Sequence, residues 1–220
     1  QFAFLGDGET PPYHECIAVS KTPDPAGAYF AYDFITPNNE FPDYPKIGVW
    51  PDAYYMMVHQ FTNGGPFNGT GMYAFDRAKM IVGDATASYI YFNLNSTSHP
   101  EFIGGGLPAD LDGLTPPPLG APNIFAYFTA VDFTDPANGI RLFNFHADFA
   151  NPGSSTGTSA TATVGGATSC TRCRGSGWSM ACECCVLVMP SLRSLVGLPR
   201  ACRMHTATCY TVITQGERHA

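Results

Sequence analysis

The sequence predicts an all-β protein, a partial β-propeller of about 2.5 four-stranded blades followed by an irregular Cys-rich tail. The 220 residues are rich in Gly, Pro and aromatic residues, and only 13 % are charged, against about 25 % in an average soluble domain. Short runs of β-branched and aromatic residues are separated by turn-forming residues. A turn-then-strand phrase also recurs at spacings of 60 and 51 residues, which is typical of repeated sheet units.

The recurring phrase starts at an Asp and leads into an aromatic strand. It reads DPAG before AYFAYDF at Asp24, DATA before SYIYFNL at Asp84, and DPANG before IRLFNFHADF at Asp135. Asp bonds its own backbone in turns and Pro presets φ, so each phrase predicts a turn followed by a strand. A β-sandwich with coincidentally similar turns is the alternative to a propeller.

The predicted strands fill three blades in chain order. Of the first blade, only the last three strands are predicted. The second blade has all four strands and includes a hairpin that turns at Pro51-Asp52, and of the third blade the first three strands are predicted. The ranges are 1–5, 15–20 and 28–34; then 45–50, 53–61, 70–76 and 88–94; then 108–112, 123–132 and 140–149. Because a closed propeller has typically 4–8 blades, we expect either a longer parent protein or self-association through open sheet edges.

Composition divides the chain into three predicted regions. Residues 1–160 hold 16 acidic and 5 basic residues, whereas residues 161–220 hold 2 acidic and 6 basic residues. Seven of the eight cysteines lie after position 169, and 26 of the 27 Phe and Tyr residues lie before it. We therefore predict propeller blades over 1–150, a Gly/Ser/Thr-rich linker over 151–169, and a Cys-rich basic tail over 170–220.

The tail allows several interpretations. The groups Cys170/Cys173 and Cys182/Cys184/Cys185, with Cys202, His205 and Cys209 beyond them, are compatible with a zinc site or with disulfides. Their spacing matches no common zinc finger. We favour the interpretation that the tail is translated out of frame or disordered, which sequencing of the encoding DNA would test.

Four strings in residues 1–155 resemble a known group of proteins: CIAVSKTPDPAGAYFAYDF, DYPKIGVWPDAYYMMVHQF, AFDRAKMIVGDATA and LPADLDGLTPPPLGAPN. They are similar to large secreted bacterial proteins, mostly uncharacterised, with propeller repeats of the sialidase and glycoside-hydrolase type. The resemblance implies a propeller fold and a secreted, extracellular protein, with strands missing before Gln1. No signal peptide is present in this chain.

Four acidic residues are candidate ligands for Ca²⁺ at the mouths of the predicted blades: Asp43, Asp52, Asp110 and Asp112. Loops that enter and leave the innermost strands of a propeller converge on its channel, and Ca²⁺ takes 6–8 oxygen ligands. Two carboxylates can also serve as acid and nucleophile at a glycosidic bond. Asp52 and Asp112 are the candidate catalytic carboxylates, although both are equally typical of ordinary turns.

His14 and Glu15 complete the predicted catalytic set, since a histidine and a carboxylate beside a channel can act as base and orienter. His59 is expected to be a half-buried strand residue. The predicted function is an extracellular, Ca²⁺-assisted hydrolase of a lactone, ester or glycosidic bond, with a small-molecule or carbohydrate substrate. The alternative is a non-catalytic secreted propeller that binds a ligand. The net charge of −7 argues against a nucleic-acid partner, and no apolar run approaches the length of a membrane span.

Overall fold

The computed structural model describes residues 2–3, 10–100, 104–131 and 137–163. These residues form eleven β-strands and one four-residue α-helix, α1 (Arg77–Met80). The strands are β1 (Phe2–Ala3), β2 (His14–Ser20), β3 (Tyr29–Ile35), β4 (Glu40–Val49), β5 (Ala53–Thr62), β6 (Phe67–Asp76), β7 (Tyr89–Leu94), β8 (Leu107–Pro108), β9 (Asn123–Thr129), β10 (Gly139–His146) and β11 (Thr156–Thr163). The all-β prediction is confirmed for this part of the chain. Within it, no helix has the length and apolarity to cross a membrane.

The strands form three antiparallel sheets, each made of strands that follow one another in the chain. Sheet A has the order β1-β2-β3, sheet B has β4-β5-β6-β7, and sheet C runs β8-β9-β10-β11. Sheets A and B therefore contain the strands predicted for the first and second blades. The described residues do not form a closed ring of sheets.

The hairpin at the start of sheet B turns at Pro51 and Asp52, as predicted. Val49 pairs with Tyr54, and the Trp50 N–H donates to the Ala53 carbonyl at 3.0 Å, which closes a two-residue turn. Pro and Asp are suited to this position because of the fixed φ and the short acceptor side chain.

Sheet B lies between the other two sheets and is buried on both faces. Tyr55 and Met57 of β5 belong to the core shared with sheet C, whereas Met56 and Val58 belong to the core shared with sheet A. Successive side chains of a strand point to opposite faces. A strand covered on both sides therefore shows a continuous buried run, and residues 55–58 are all buried.

Aromatic rings dominate both interfaces between sheets. Between sheets B and C, the Tyr55 ring meets Phe145 edge-on with centroids 5.2 Å apart. Between sheets A and B, Phe34 packs on Phe75 with centroids 4.9 Å apart. Such edge-to-face and tilted contacts add to the free energy gained by burying apolar area.

The third sheet differs from its prediction at both ends. Its first strand is only Leu107–Pro108, where 108–112 was expected. Its last strand, Thr156–Thr163, pairs with β10 from His146 to Gly139, in a segment that composition had indicated as a linker. The predicted tail 170–220, with its zinc and disulfide alternatives, lies outside the described residues.

Candidate functional site

Asp110 lies where the first strands of sheets B and C approach each other. Its Oδ1 accepts hydrogen bonds from the backbone N–H of Val49 at 2.7 Å and from that of Leu111 at 3.0 Å. The Leu111 N–H in turn donates to the Val49 carbonyl at 3.2 Å. The carboxylate thus accepts a hydrogen bond from a backbone N–H at the edge of β4, a role that the sequence did not predict.

The close approach of the chain at this edge also explains why residue 48 is a glycine. A Cβ placed on Gly48 would lie 2.5 Å from the Ala109 carbonyl oxygen. Real Cβ atoms are not found that close to a backbone oxygen. Only glycine therefore allows β4 to approach Ala109, the residue that follows β8.

The other three predicted metal ligands make local contacts. Asp43 Oδ1 accepts the Tyr44 N–H at 2.7 Å, and Asp52 Oδ2 accepts the Tyr55 hydroxyl at 2.9 Å. Asp52 Oδ1 is buried without a hydrogen-bond partner, and Asp112 is exposed. In the part of the chain that the structure describes, no three His, Cys, Asp or Glu side chains are grouped to hold a metal ion. The calcium site stays a prediction.

His14 and Glu15 point to opposite faces of sheet A, so they do not act on one another as base and orienter. His14 is 5 % exposed, and its Nδ1 lies 2.5 Å from Asp33 Oδ1, while its Nε2 is buried without a partner. Asp33 was not singled out in the sequence, because the two residues are 19 positions apart and meet only through the β2–β3 register.

Glu15 instead faces sheet B, in the neighbourhood of the buried Tyr73 hydroxyl. Burial raises the pKa of Glu15 from its usual value. The pKa of Tyr73 is raised well above its usual value, first by burial and then by Tyr91, Tyr89 and the carboxylates of Glu15 and Glu40. The Tyr73 hydroxyl has no hydrogen-bond partner among the described residues.

Sheet B also contains buried polar side chains that are hydrogen-bonded to one another. Glu40 is 4 % exposed and accepts hydrogen bonds from the Asn68 amide at 2.7 Å and from the Thr62 hydroxyl at 3.1 Å. Gln60, fully buried, donates to Asn93 at 2.9 Å and accepts from the Tyr91 hydroxyl. These groups satisfy one another, which is the condition for burying them without a large free-energy cost.

An aromatic surface forms at the irregular point of β4. The β4–β5 register shifts between Asp43 and Lys46, so that β4 has one more residue than β5 across the bulge. Tyr44 sits in this bulge with φ of 55° and is 57 % exposed. A left-handed backbone is costly for a bulky residue and is found disproportionately at binding sites, as are β-bulges.

Three rings follow one another across β4, β5 and β6 at this place. Tyr44 stacks on His59 with centroids 5.7 Å apart and an interplanar angle of 28°. His59 meets Phe67 edge-on at 5.8 Å, and its Nε2 lies 3.3 Å from the Gly104 carbonyl. Phe67 is 39 % exposed, so an exposed ring lies on each side of His59. We call Tyr44, His59 and Phe67, with Lys46 and Asp43 beside them, the aromatic surface.

Lys46 completes the aromatic surface. Its Nζ lies 3.4 Å from the centroid of the Tyr44 ring, a cation–π contact. The sequence indicated aromatic density in this region but did not separate exposed rings from core rings. A signal was available in the string DYPK, because a Pro inside a strand is typical of an edge strand or a bulge.

Comparison with known proteins finds no relative: no family model, curated protein or solved structure matches this chain.

Proposed function

We propose that this chain is part of a secreted β-propeller-repeat protein and serves as a non-catalytic module that binds carbohydrate on the aromatic surface. The observation that carries the proposal is Tyr44. This ring is 57 % exposed, belongs to a residue at positive φ in a β-bulge, and contacts a histidine ring and a lysine ammonium.

The propeller is supported by the order and stacking of the sheets. Sheets B and C each consist of four consecutive antiparallel strands, which is the connectivity of a propeller blade. One face of sheet B packs against sheet A and the other against sheet C. The strands β4 and β8 are in contact, as the innermost strands of adjacent blades would be. Secretion and the bacterial repeat family are proposed from the four strings that carry the resemblance.

Carbohydrate is favoured by the mixture of groups on the aromatic surface. Tyr44 and Phe67 present apolar ring area to solvent, which suits the C–H faces of a sugar. Asp43 and Lys46 add charged groups beside the rings, and the middle ring, His59, adds a hydrogen-bonding group. A few polar groups around an apolar surface are the usual means of orienting a small ligand.

Binding is preferred over hydrolysis because three of the four predicted acidic residues have structural partners. Asp110 satisfies the β4 edge, Asp52 accepts from Tyr55, and Asp43 caps the Tyr44 N–H. A pair of carboxylates acting across a glycosidic bond needs both groups free toward one substrate.

The experiment is a glycan array with the full chain, followed by calorimetry on the saccharides that bind. Tyr44→Ala and Phe67→Ala should each weaken binding at least tenfold, whereas Tyr44→Phe should retain it. Tyr29→Ala is the matched control, because Tyr29 is 44 % exposed on sheet A, outside the aromatic surface. Thermal melting of each variant identifies a loss that results from unfolding.

Two results would contradict the proposal. One is the absence of saccharide binding, or binding that Tyr44→Ala leaves unchanged. The other is hydrolysis of an aryl glycoside or a lactone that EDTA abolishes, which would favour the Ca²⁺-assisted hydrolase instead.

A further inference from the structure

The ammonium group of Lys46 lies over the Tyr44 ring. The Lys46 Nζ lies 3.4 Å from its ring centroid, closer than the Lys21 Nζ to Phe30 at 4.4 Å or the Arg77 guanidinium to Tyr54 at 5.9 Å. The contact joins two residues of one bulge, so a small movement of a flexible four-carbon side chain would open the ring face.

We propose that the Tyr44 ring is a subsite for an ammonium group of the ligand, which replaces the Lys46 ammonium. The inference rests on the proposed function and adds the chemistry of the ligand: a cationic amine, as carried by an amino sugar or by a small quaternary amine. Aromatic faces recognise such cations through the ring quadrupole.

The surroundings of Tyr44 favour a cation. The Asp43 carboxylate adds a negative charge beside the backbone of Tyr44, because its Oδ1 accepts the Tyr44 N–H at 2.7 Å. Residues 1–160 hold 16 acidic against 5 basic side chains, so the protein around the surface attracts positive charge. His59 and Phe67 continue the surface beyond Tyr44. The Tyr44 and His59 ring centroids are 5.7 Å apart, and the His59 and Phe67 centroids are 5.8 Å apart. A ligand can therefore extend along the surface beyond its ammonium group.

Lys46 acts as the intramolecular competitor in this arrangement. Removing its ammonium frees the ring, whereas removing the ring abolishes the subsite. Lys46→Ala should therefore tighten binding of an ammonium ligand by about 2- to 5-fold, the range expected for one exposed cation–π contact. Tyr44→Ala should remove the binding, and Tyr44→Phe should keep it. Added salt should weaken binding, since the site is exposed.

The test is calorimetry with the full chain and three probes: a glucosamine tetramer, its fully N-acetylated form, and tetramethylammonium. Lys21→Ala is the matched control, because it removes a lysine from another aromatic ring and should leave each affinity unchanged. The proposal expects the glucosamine tetramer and tetramethylammonium to bind, both more tightly to Lys46→Ala, and the acetylated tetramer to bind more weakly than the free amine.

The outcomes separate this inference from the proposed function. Equal binding of both tetramers, unaffected by Lys46→Ala, overturns the ammonium subsite and leaves the carbohydrate module standing. Binding of tetramethylammonium alone, lost in Tyr44→Ala, supports the subsite and overturns the carbohydrate module. If no probe binds and no saccharide is found on the array, both are wrong.

Discussion

The Asp110 carboxylate accepts the backbone N–H of Val49 at 2.7 Å and so joins β4 to the segment after β8, through two residues 61 positions apart in sequence. The Leu111 N–H donates to the Val49 carbonyl, so both backbone groups of Val49 are hydrogen-bonded by the segment that follows β8. An edge strand with unpaired backbone groups is a site of unwanted association. The contact closes part of the β4 edge and connects sheets B and C.

Asp110→Ala should lower the free energy of unfolding. A hydrogen bond to a charged acceptor contributes about 1.5–3 kcal/mol, and the partial exposure of this contact places the expected loss near the lower end. Urea denaturation of the full chain measures it. Asp112→Ala is the control, because Asp112 is exposed and should change stability by less than about 0.5 kcal/mol. Equal effects of the two substitutions would show that the Val49 contact is unimportant.

Gly48→Ala should destabilise the same edge by steric overlap. The added Cβ would lie 2.5 Å from the Ala109 carbonyl oxygen, a backbone atom that cannot move away by a rotamer change. Overpacking of this kind costs about 1–3 kcal/mol, measurable by thermal melting. At Gly153 a Cβ meets no atom within 4 Å, so Gly153→Ala should leave the melting temperature nearly unchanged. A neutral Gly48→Ala would contradict the close approach of β4 to Ala109.

Tyr73→Phe should leave stability unchanged or raise it by about 1 kcal/mol. The Tyr73 hydroxyl is buried without a hydrogen-bond partner among the described residues, and removing such a group removes its desolvation cost. Tyr91→Phe should instead destabilise, because the Tyr91 hydroxyl donates to the buried Gln60. Chemical denaturation of both variants tests the contrast, and a Tyr73→Phe loss as large as that of Tyr91→Phe would indicate a missed partner.

Glu15 should make the protein less stable as the pH rises above the usual glutamate range. Burial raises its pKa in the folded state above 4.5, so the folded state binds the proton more tightly than the unfolded state. This contribution is fully present below pH 4.5 and is lost as the pH rises through the folded-state pKa. Glu15→Gln should flatten this part of the profile, as measured by denaturation at a series of pH values. A profile that Glu15→Gln leaves unchanged would contradict this prediction.

Much of the strand order could be predicted locally. Pro51 and Asp52 mark the hairpin turn through their own backbone preferences, and the Asp84 phrase correctly precedes β7. The strand Thr156–Thr163 could not be predicted in the same way. Its Thr, Ser, Gly and Ala residues lack the large apolar side chains that indicate a strand, and its pairing is provided by β10.

The candidate site was predicted less well, because it depends on register. Asp43, Asp52, Asp110 and Asp112 look alike in sequence, and their different partners come from the β4–β5 bulge, the hairpin turn and the approach of sheet C. His14 and Glu15 are neighbours in sequence and yet lie on opposite faces of sheet A. Tyr44 and His59 are 15 positions apart and stack only because the bulge turns the Tyr44 ring onto the neighbouring strand.

The sequence by itself determined the all-β class, the positions of the main turns and the consecutive order of the strands in sheets A and B. These depend on local backbone preferences and on alternating side chains, which act over a few residues. Only the tertiary structure decided which carboxylates hold the backbone, which rings are exposed, and that Lys46 rests on Tyr44. Those properties depend on strand register and sheet stacking, where a shift of one residue reverses the face that each side chain occupies.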